Sequence, residues 1–304
     1  MRKLTSSVLD IIGDTPLVRL GSLELPRSGQ VWAKVESLNP SGSVKDRVAL
    51  ALVREAEERG ALSQGSAIVE ASAGNMGVSL AMVAGALGYK LHVFMPEGVA
   101  LERRRLVVRY GAEVHLTPSN MGMAGATMAA KRLMGRNASD VGLDQFTNAA
   151  AVRAHREGTG AEIWEAAQGK VDAFVAGVGT GATLMGVGQA LRAGNPAVLL
   201  VAVEPSTSPL LSEGRAGDHG IAGIGADFVP PLLDRSLVSE VATVSTQEAS
   251  DMAVRLAREA GLLVGVSSGA NVAAALRIAQ RLGPGARVVT VLPDTGERYP
   301  YLGQ

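Results

Sequence analysis

The sequence predicts an α/β protein built from two doubly wound domains. Three observations carry this. Short β-rich runs alternate along the chain with stretches of helical periodicity. Several of those runs are apolar throughout, as parallel strands covered on both faces are. Glycines stand just past the helical stretches, at Gly60, Gly88, Gly111, Gly261 and Gly283, where a helix closes in the left-handed conformation. A length of 304 residues favours two domains over one.

In chain order, strands are expected at 31–35, 67–69, 91–95, 113–116, 173–176, 199–203 and 288–292. Helices are expected at 44–59, 77–87, 101–110, 124–132, 158–167, 183–192, 246–260 and 270–282. The polar stretch 137–148 is the expected boundary between domains. Repeats, low-complexity tracts and long linkers are not evident.

Composition removes several classes of function. The chain has no cysteine, which excludes a thiolate nucleophile, zinc–thiolate sites and iron–sulfur ligation. Its 29 basic and 29 acidic residues balance, so a global field for nucleic acid or an anionic membrane is absent. The uncharged stretches 71–89 and 173–191 approach bilayer length but are interrupted by polar residues and glycines. The first residues lack a long apolar core and a small-residue cleavage site, so a signal peptide is not expected and the cytoplasm is. The four histidines are widely spaced along the chain, and each reads as a structural or surface residue rather than a metal ligand.

Three glycine-rich turns follow strands and open helices. Gly177-Val-Gly179-Thr-Gly181-Ala182 fits a dinucleotide fingerprint, with Glu204 at the end of the next strand as the ribose-binding acid. The same turn suits any phosphate, because backbone N–H groups point outward at a helix start. Gly265-Val-Ser267-Ser268-Gly269 mimics a hydrolase nucleophile elbow, but no histidine follows the serine as that fold requires. Asn39-Pro-Ser-Gly-Ser-Val-Lys45-Asp-Arg47 carries the sharpest chemistry. Ser43 reads as an N-cap with Asp46 as a weak capping-box partner. Lys45 then sits in the first helical turn, where the dipole disfavours a cation. Burial acts the same way, and a neutral lysine amine is the form that attacks carbonyls.

In order and spacing these segments resemble the cysteine synthase (O-acetylserine sulfhydrylase) family of fold type II pyridoxal-phosphate enzymes. Also matching are Ile12–Leu20, Glu70–Gly77, Gln145–Asn148, Gly223–Phe228, Gly265–Asn271 and Leu292–Tyr299, so the resemblance spans essentially the whole chain. It implies a tryptophan-synthase-β-like architecture, with pyridoxal 5′-phosphate in the cleft between the domains. Residues 1–37 plus 144–304 would form the larger cofactor-binding domain, and 38–143 the smaller, mobile one.

The resemblance implies roles residue by residue. Lys45 would hold the cofactor and later act as the base on Cα. Gly179, Thr180, Gly181 and Thr183 would cradle the phosphate. Asn75 would bond the ring 3′-oxygen, Ser267 would face the pyridine nitrogen, and Asp294 would stand behind the pocket. Ser72, Ala73, Asn75, Met76, Gln145 and Gly223 would receive the substrate. The implied reaction is β-replacement on O-acetyl-L-serine by sulfide, giving L-cysteine and acetate. The implied partners are small molecules and a second copy of the chain; a serine acetyltransferase partner is not testable from sequence.

Several departures keep alternatives open. The family loop T-S-G-N-T-G reads Ser72-Ala-Gly-Asn-Met-Gly77 here, losing two hydroxyl donors at Ala73 and Met76. Each lost bond to a charged group costs about 1.5–3 kcal/mol if nothing replaces it. O-phosphoserine or another donor or nucleophile therefore remains open, as does serine/threonine dehydratase-type elimination, whose loop Ser72–Asn75 also resembles. Ala182 replaces a usual glycine, which is mild if its φ stays negative. Tyr299-Pro-Tyr-Leu-Gly-Gln304 lacks the family's usual continuation.

Overall fold

The computed structural model describes residues 4–299; the departure expected at 300–304 lies outside them. The described chain divides into two compact units. Unit one comprises Met1–Ile12 and Asn39–Ala150, and unit two Gly13–Leu38 and Ala151–Gln304. This division differs from the expected one in grouping residues up to 12 and 144–150 with the smaller unit and Leu38 with the larger.

The elements, in order, are β1 (Leu17–Arg19), β2 (Gln30–Val35), α1 (Lys45–Glu58), β3 (Ala67–Ala71), α2 (Asn75–Leu87), β4 (Lys90–Pro96), α3 (Leu101–Arg109), β5 (Glu113–Thr117) and α4 (Gly122–Met134). Then follow α5 (Ala150–Ala154), α6 (Ala161–Ala166), β6 (Ala173–Gly177), α7 (Ala182–Gly194), β7 (Leu199–Pro205), α8 (Leu210–Glu213), β8 (Glu240–Val244), α9 (Thr246–Ala260), α10 (Val266–Leu282) and β9 (Arg287–Leu292).

Unit one holds a parallel sheet in the order β3-β4-β5. Val69 and Phe94 on one face pack against Ala126 and Ala130 of α4. On the opposite face, Val93 lies against the start of α2 at Gly77. Unit two holds a six-stranded sheet in the order β1-β2-β9-β6-β7-β8, parallel except for the β1 edge.

Alternation along the strands of unit two sorts its core into two layers. Val175, Val201, Val203 and Val288 join α9 and α10 on one face. Phe174, Leu200, Ala202 and Val289 join α6 and α7 on the other. Both faces are covered, which is why these strands read as continuous apolar runs.

Two strands escape the sequence reading. β1 is three residues long, and β8 is half-buried along most of its length, as edge strands are. The helix expected at 158–167 starts at Ala150 and passes through a π-helical turn, His155–Gly160. Its start is set by Asn148, whose Oδ1 accepts the Ala150 N–H at 2.9 Å. α10 begins four residues before the expected position, because extended Gly265 rather than the serine pair marks its entry. The five closing glycines all take positive φ, from 69° to 91°.

Candidate functional site

In unit one, Lys45 is the first residue of α1. The N-cap is Val44 rather than the expected Ser43, whose Oγ nonetheless accepts the Lys45 N–H at 3.2 Å. The capping box expected with Asp46 does not form. Asp46 instead accepts from the Ser41 N–H at 2.7 Å and from the Ser41 hydroxyl, which closes the turn ahead of the helix. The Lys45 amine is pushed down to about 8 by burial. At neutral pH a sizeable minority of such an amine is uncharged, against almost none for an ordinary lysine.

The loop after β3 leads directly into α2. Ser72 Oγ accepts the Gly77 N–H at 2.9 Å, folding the loop over the helix start. The Ala73 carbonyl accepts from Arg103 at 2.9 Å. Asn75 begins the helix, and Met76 behind it is fully buried. Gly74 at the N-cap has no side chain to cap the helix; of the first N–H groups, that of Gly77 goes to Ser72, and those ahead of it face an anion site at the helix start. Gln145, also in unit one, is half-buried in a turn that Asp144 organises by accepting the Phe146 N–H and the Thr147 hydroxyl.

In unit two, the turn between β6 and α7 approaches other backbone too closely for side chains. A Cβ on Gly179 would lie 2.3 Å from the Gly223 carbonyl oxygen. Gly181 has φ +83°, and its neighbour Ala182 opens α7 without a positive φ. The glycine replaced by alanine is thus not one the backbone needs. Thr180 Oγ1 accepts the Ala182 N–H at 3.3 Å. Thr183 Oγ1 lies 3.2 Å from His155 Nε2, and His155 Nδ1 lies 3.0 Å from Thr159 Oγ1. The π-helical turn therefore supplies the group that orients Thr183, a partner sequence reasoning missed. The sequence places only Thr159 near it; Thr183 lies 28 positions away.

Ser267 is buried in the first turn of α10. Asp294, on the loop after β9, accepts the Tyr299 hydroxyl at 2.6 Å and stands beside Gly265, where a Cβ would meet its carboxylate at 2.3 Å. The two sequence mimics dissolve. Glu204 is buried and spends its carboxylate on the Leu211 and Ser212 N–H groups and the Ser212 hydroxyl, so it has no role left for a ribose. Gly269 is present for packing: a Cβ there would meet the Ala249 carbonyl of α9 at 1.9 Å.

These donor sets fit pyridoxal phosphate. A lysine amine of lowered basicity, an amide at a helix start, a glycine cradle with outward N–H groups and a buried hydroxyl are what an aldehyde, a ring oxygen, a phosphate and a pyridine nitrogen require.

Residues 8–294 match the model of the family described as pyridoxal-phosphate dependent enzyme. Cysteine synthase B of Campylobacter jejuni is 43% identical over 98% of this chain and 97% of its own. The crystal structure of an O-ureido-L-serine synthase superposes with a TM-score of 0.95 at 44% identity, covering 98% of this chain and 94% of that one. Cysteine synthase of Entamoeba histolytica superposes with a TM-score of 0.95 at 36% identity, over 99% and 90%.

Proposed function

Since the chain belongs to the pyridoxal-phosphate dependent enzymes, in their cysteine synthase branch, we propose that it replaces the β-substituent of an O-activated L-serine, with O-acetyl-L-serine and sulfide as the substrates and L-cysteine and acetate as the products. The observation that carries the reading is Lys45, an amine of lowered basicity at the start of α1 in a chain that also holds the Gly179–Thr183 cradle.

Lys45 would hold the cofactor through its amine, and the same amine would act as the base that takes the proton from the substrate Cα and serve again in product release. When bound, the cofactor's ring draws off the electron pair left on Cα. Gly179, Thr180, Gly181 and Thr183 hold the phosphate, with His155 fixing the Thr183 hydroxyl. Asn75 would donate to the ring 3′-oxygen. Ser267 would face the ring nitrogen, where a hydroxyl does not protonate it, which favours elimination and addition at Cβ over chemistry needing a stronger electron sink. The substrate carboxylate goes to the N–H groups at the start of α2, with Ser72, Ala73, Asn75, Met76, Gln145 and Gly223 around the substrate. A homodimer in the cytoplasm belongs to the same proposal, supported by the enzyme class of the relatives; light scattering on the purified protein tests the dimer.

The purified protein should be yellow, and Lys45→Ala should lose the visible band and all turnover. With O-acetylserine and sulfide, cysteine should accumulate. Pyruvate and ammonia from unmodified serine, without sulfide incorporation, would overturn the reading in favour of a dehydratase. A second nucleophile deserves the same assay. The loop lacks hydroxyls at Ala73 and Met76, and a relative of equal similarity is named for making O-ureido-L-serine. Formation of that product in preference to cysteine would move the assignment to it.

A further inference from the structure

The parallel pairing of β4 with β5 sets His92 opposite Glu113 and Phe94 opposite His115. These side chains share one face, because alternate residues of a strand point the same way. His92 Nδ1 and His115 Nε2 stand 3.1 Å apart. Glu113 reaches both rings, with one carboxylate oxygen 3.4 Å from His92 Nδ1 and the other 3.3 Å from His115 Nε2. Phe94 stacks on the His115 ring at 4.5 Å and 14°, which restrains its orientation. Histidines 23 positions apart along the chain, dismissed as ligands on their spacing, become neighbours through strand register.

The separations are those of a coordination polyhedron. A first-row divalent ion holds nitrogen and oxygen ligands at about 2.0–2.2 Å, so adjacent ligand atoms stand about 3.0 Å apart at right angles and about 3.4 Å apart at the tetrahedral angle. A shared ring proton accounts for the approach of the two imidazoles alone. It leaves unexplained why a carboxylate straddles both of the same nitrogens. Two imidazoles and a carboxylate select borderline ions over Mg²⁺ or Ca²⁺, which prefer oxygen.

We propose that His92, Glu113 and His115 form a three-ligand site for one Zn²⁺-like transition ion, with water completing the coordination. The ligands come from adjacent strands, so the ion would clamp β4 to the outer strand β5 and stabilise unit one in proportion to its free concentration. None of the three ligands is a residue assigned to the reaction above, so the proposal does not rest on that assignment.

The test uses the holoenzyme, stripped with chelator and titrated with Co²⁺. The expected result is one Co²⁺ per chain with ligand-field absorption, displaced by Zn²⁺, and a melting temperature that rises with either ion. Glu113→Gln should weaken binding about tenfold, and His115→Phe, which keeps a ring on Phe94, about a hundredfold or more. Glu113 is largely exposed, so its variant should fold, with cofactor absorbance unchanged as the control. Absence of stoichiometric binding by the wild type, or equal binding by both variants, would overturn the proposal.

Discussion

Glu70 shows what one buried carboxyl does to a molecule's pH response. Burial pushes it up to about 7, and the Asp144 charge adds to the shift. A carboxyl whose folded value lies above its unfolded value of about 4.5 contributes stability below that value and loses it as pH rises through 7. Unfolding free energy should therefore fall across that window, and Glu70→Gln should flatten the fall and be the more stable protein at pH 8, by roughly 1–3 kcal/mol. Denaturant titrations at pH 5, 6, 7 and 8 check this; identical profiles would exclude the effect. The place of Lys45 in the first turn of α1 and the glycine-rich turn into α7 were legible in sequence because turn chemistry is local. His155 was not, since its partners Thr159 and Thr183 lie on two elements. Glu204 misled for the same reason: the N–H groups it binds are seven and eight residues away.

Elements meet through a few contacts that tolerate no change. α9 and α10 touch where Gly269 lies under Ala249, so Gly269→Ala must separate the helices and should cost about 2–4 kcal/mol. Full catalytic constants at low temperature with a lowered melting point are the expected combination. β2 is tied to α6 by Lys34, buried, which pairs with Glu162 at 2.5 Å and donates to the Thr15 carbonyl. Lys34→Ala leaves both acceptors behind and should cost about 3 kcal/mol. The double variant Lys34→Met/Glu162→Met should retain more stability than Lys34→Met alone, which a double-mutant cycle reads directly. Periodicity located these helices and strands well in their interiors. It failed at their starts, where Asn148 and extended Gly265 decide the entry, and at β1 and β8, which bury too little to leave an apolar signature.

At the scale of the whole molecule, protection should follow coverage. β6 and β9 lie inside the six-stranded sheet, and α10 is buried over most of its length. Their amides should exchange slowest, and those of β1 and β8 fastest among the strands of unit two, when hydrogen exchange is followed by mass spectrometry. The two-domain α/β class was legible in the alternation of runs. The chain's return was not: residues up to 12 join unit one through contacts with α2, and 13–38 join unit two through the pairing of β2 with β9, elements remote in the chain.

The position of β9 bears on how the protein is made. It is the last strand among the described residues, yet it lies between β2 and β6, registering Gln30–Val35 on one side and Ala173–Val175 on the other. During vectorial synthesis the early hairpin β1–β2 and the later ribbon β6–β7–β8 have no shared neighbour until Leu292 clears the ribosome. Each presents an unsatisfied strand edge to solvent for most of translation, the period when chaperone capture and misassembly compete with folding. Nascent chains stalled before Arg287 should bind a chaperone and resist protease poorly. Extending the stall point far enough past Leu292 to clear the exit tunnel should switch both at once.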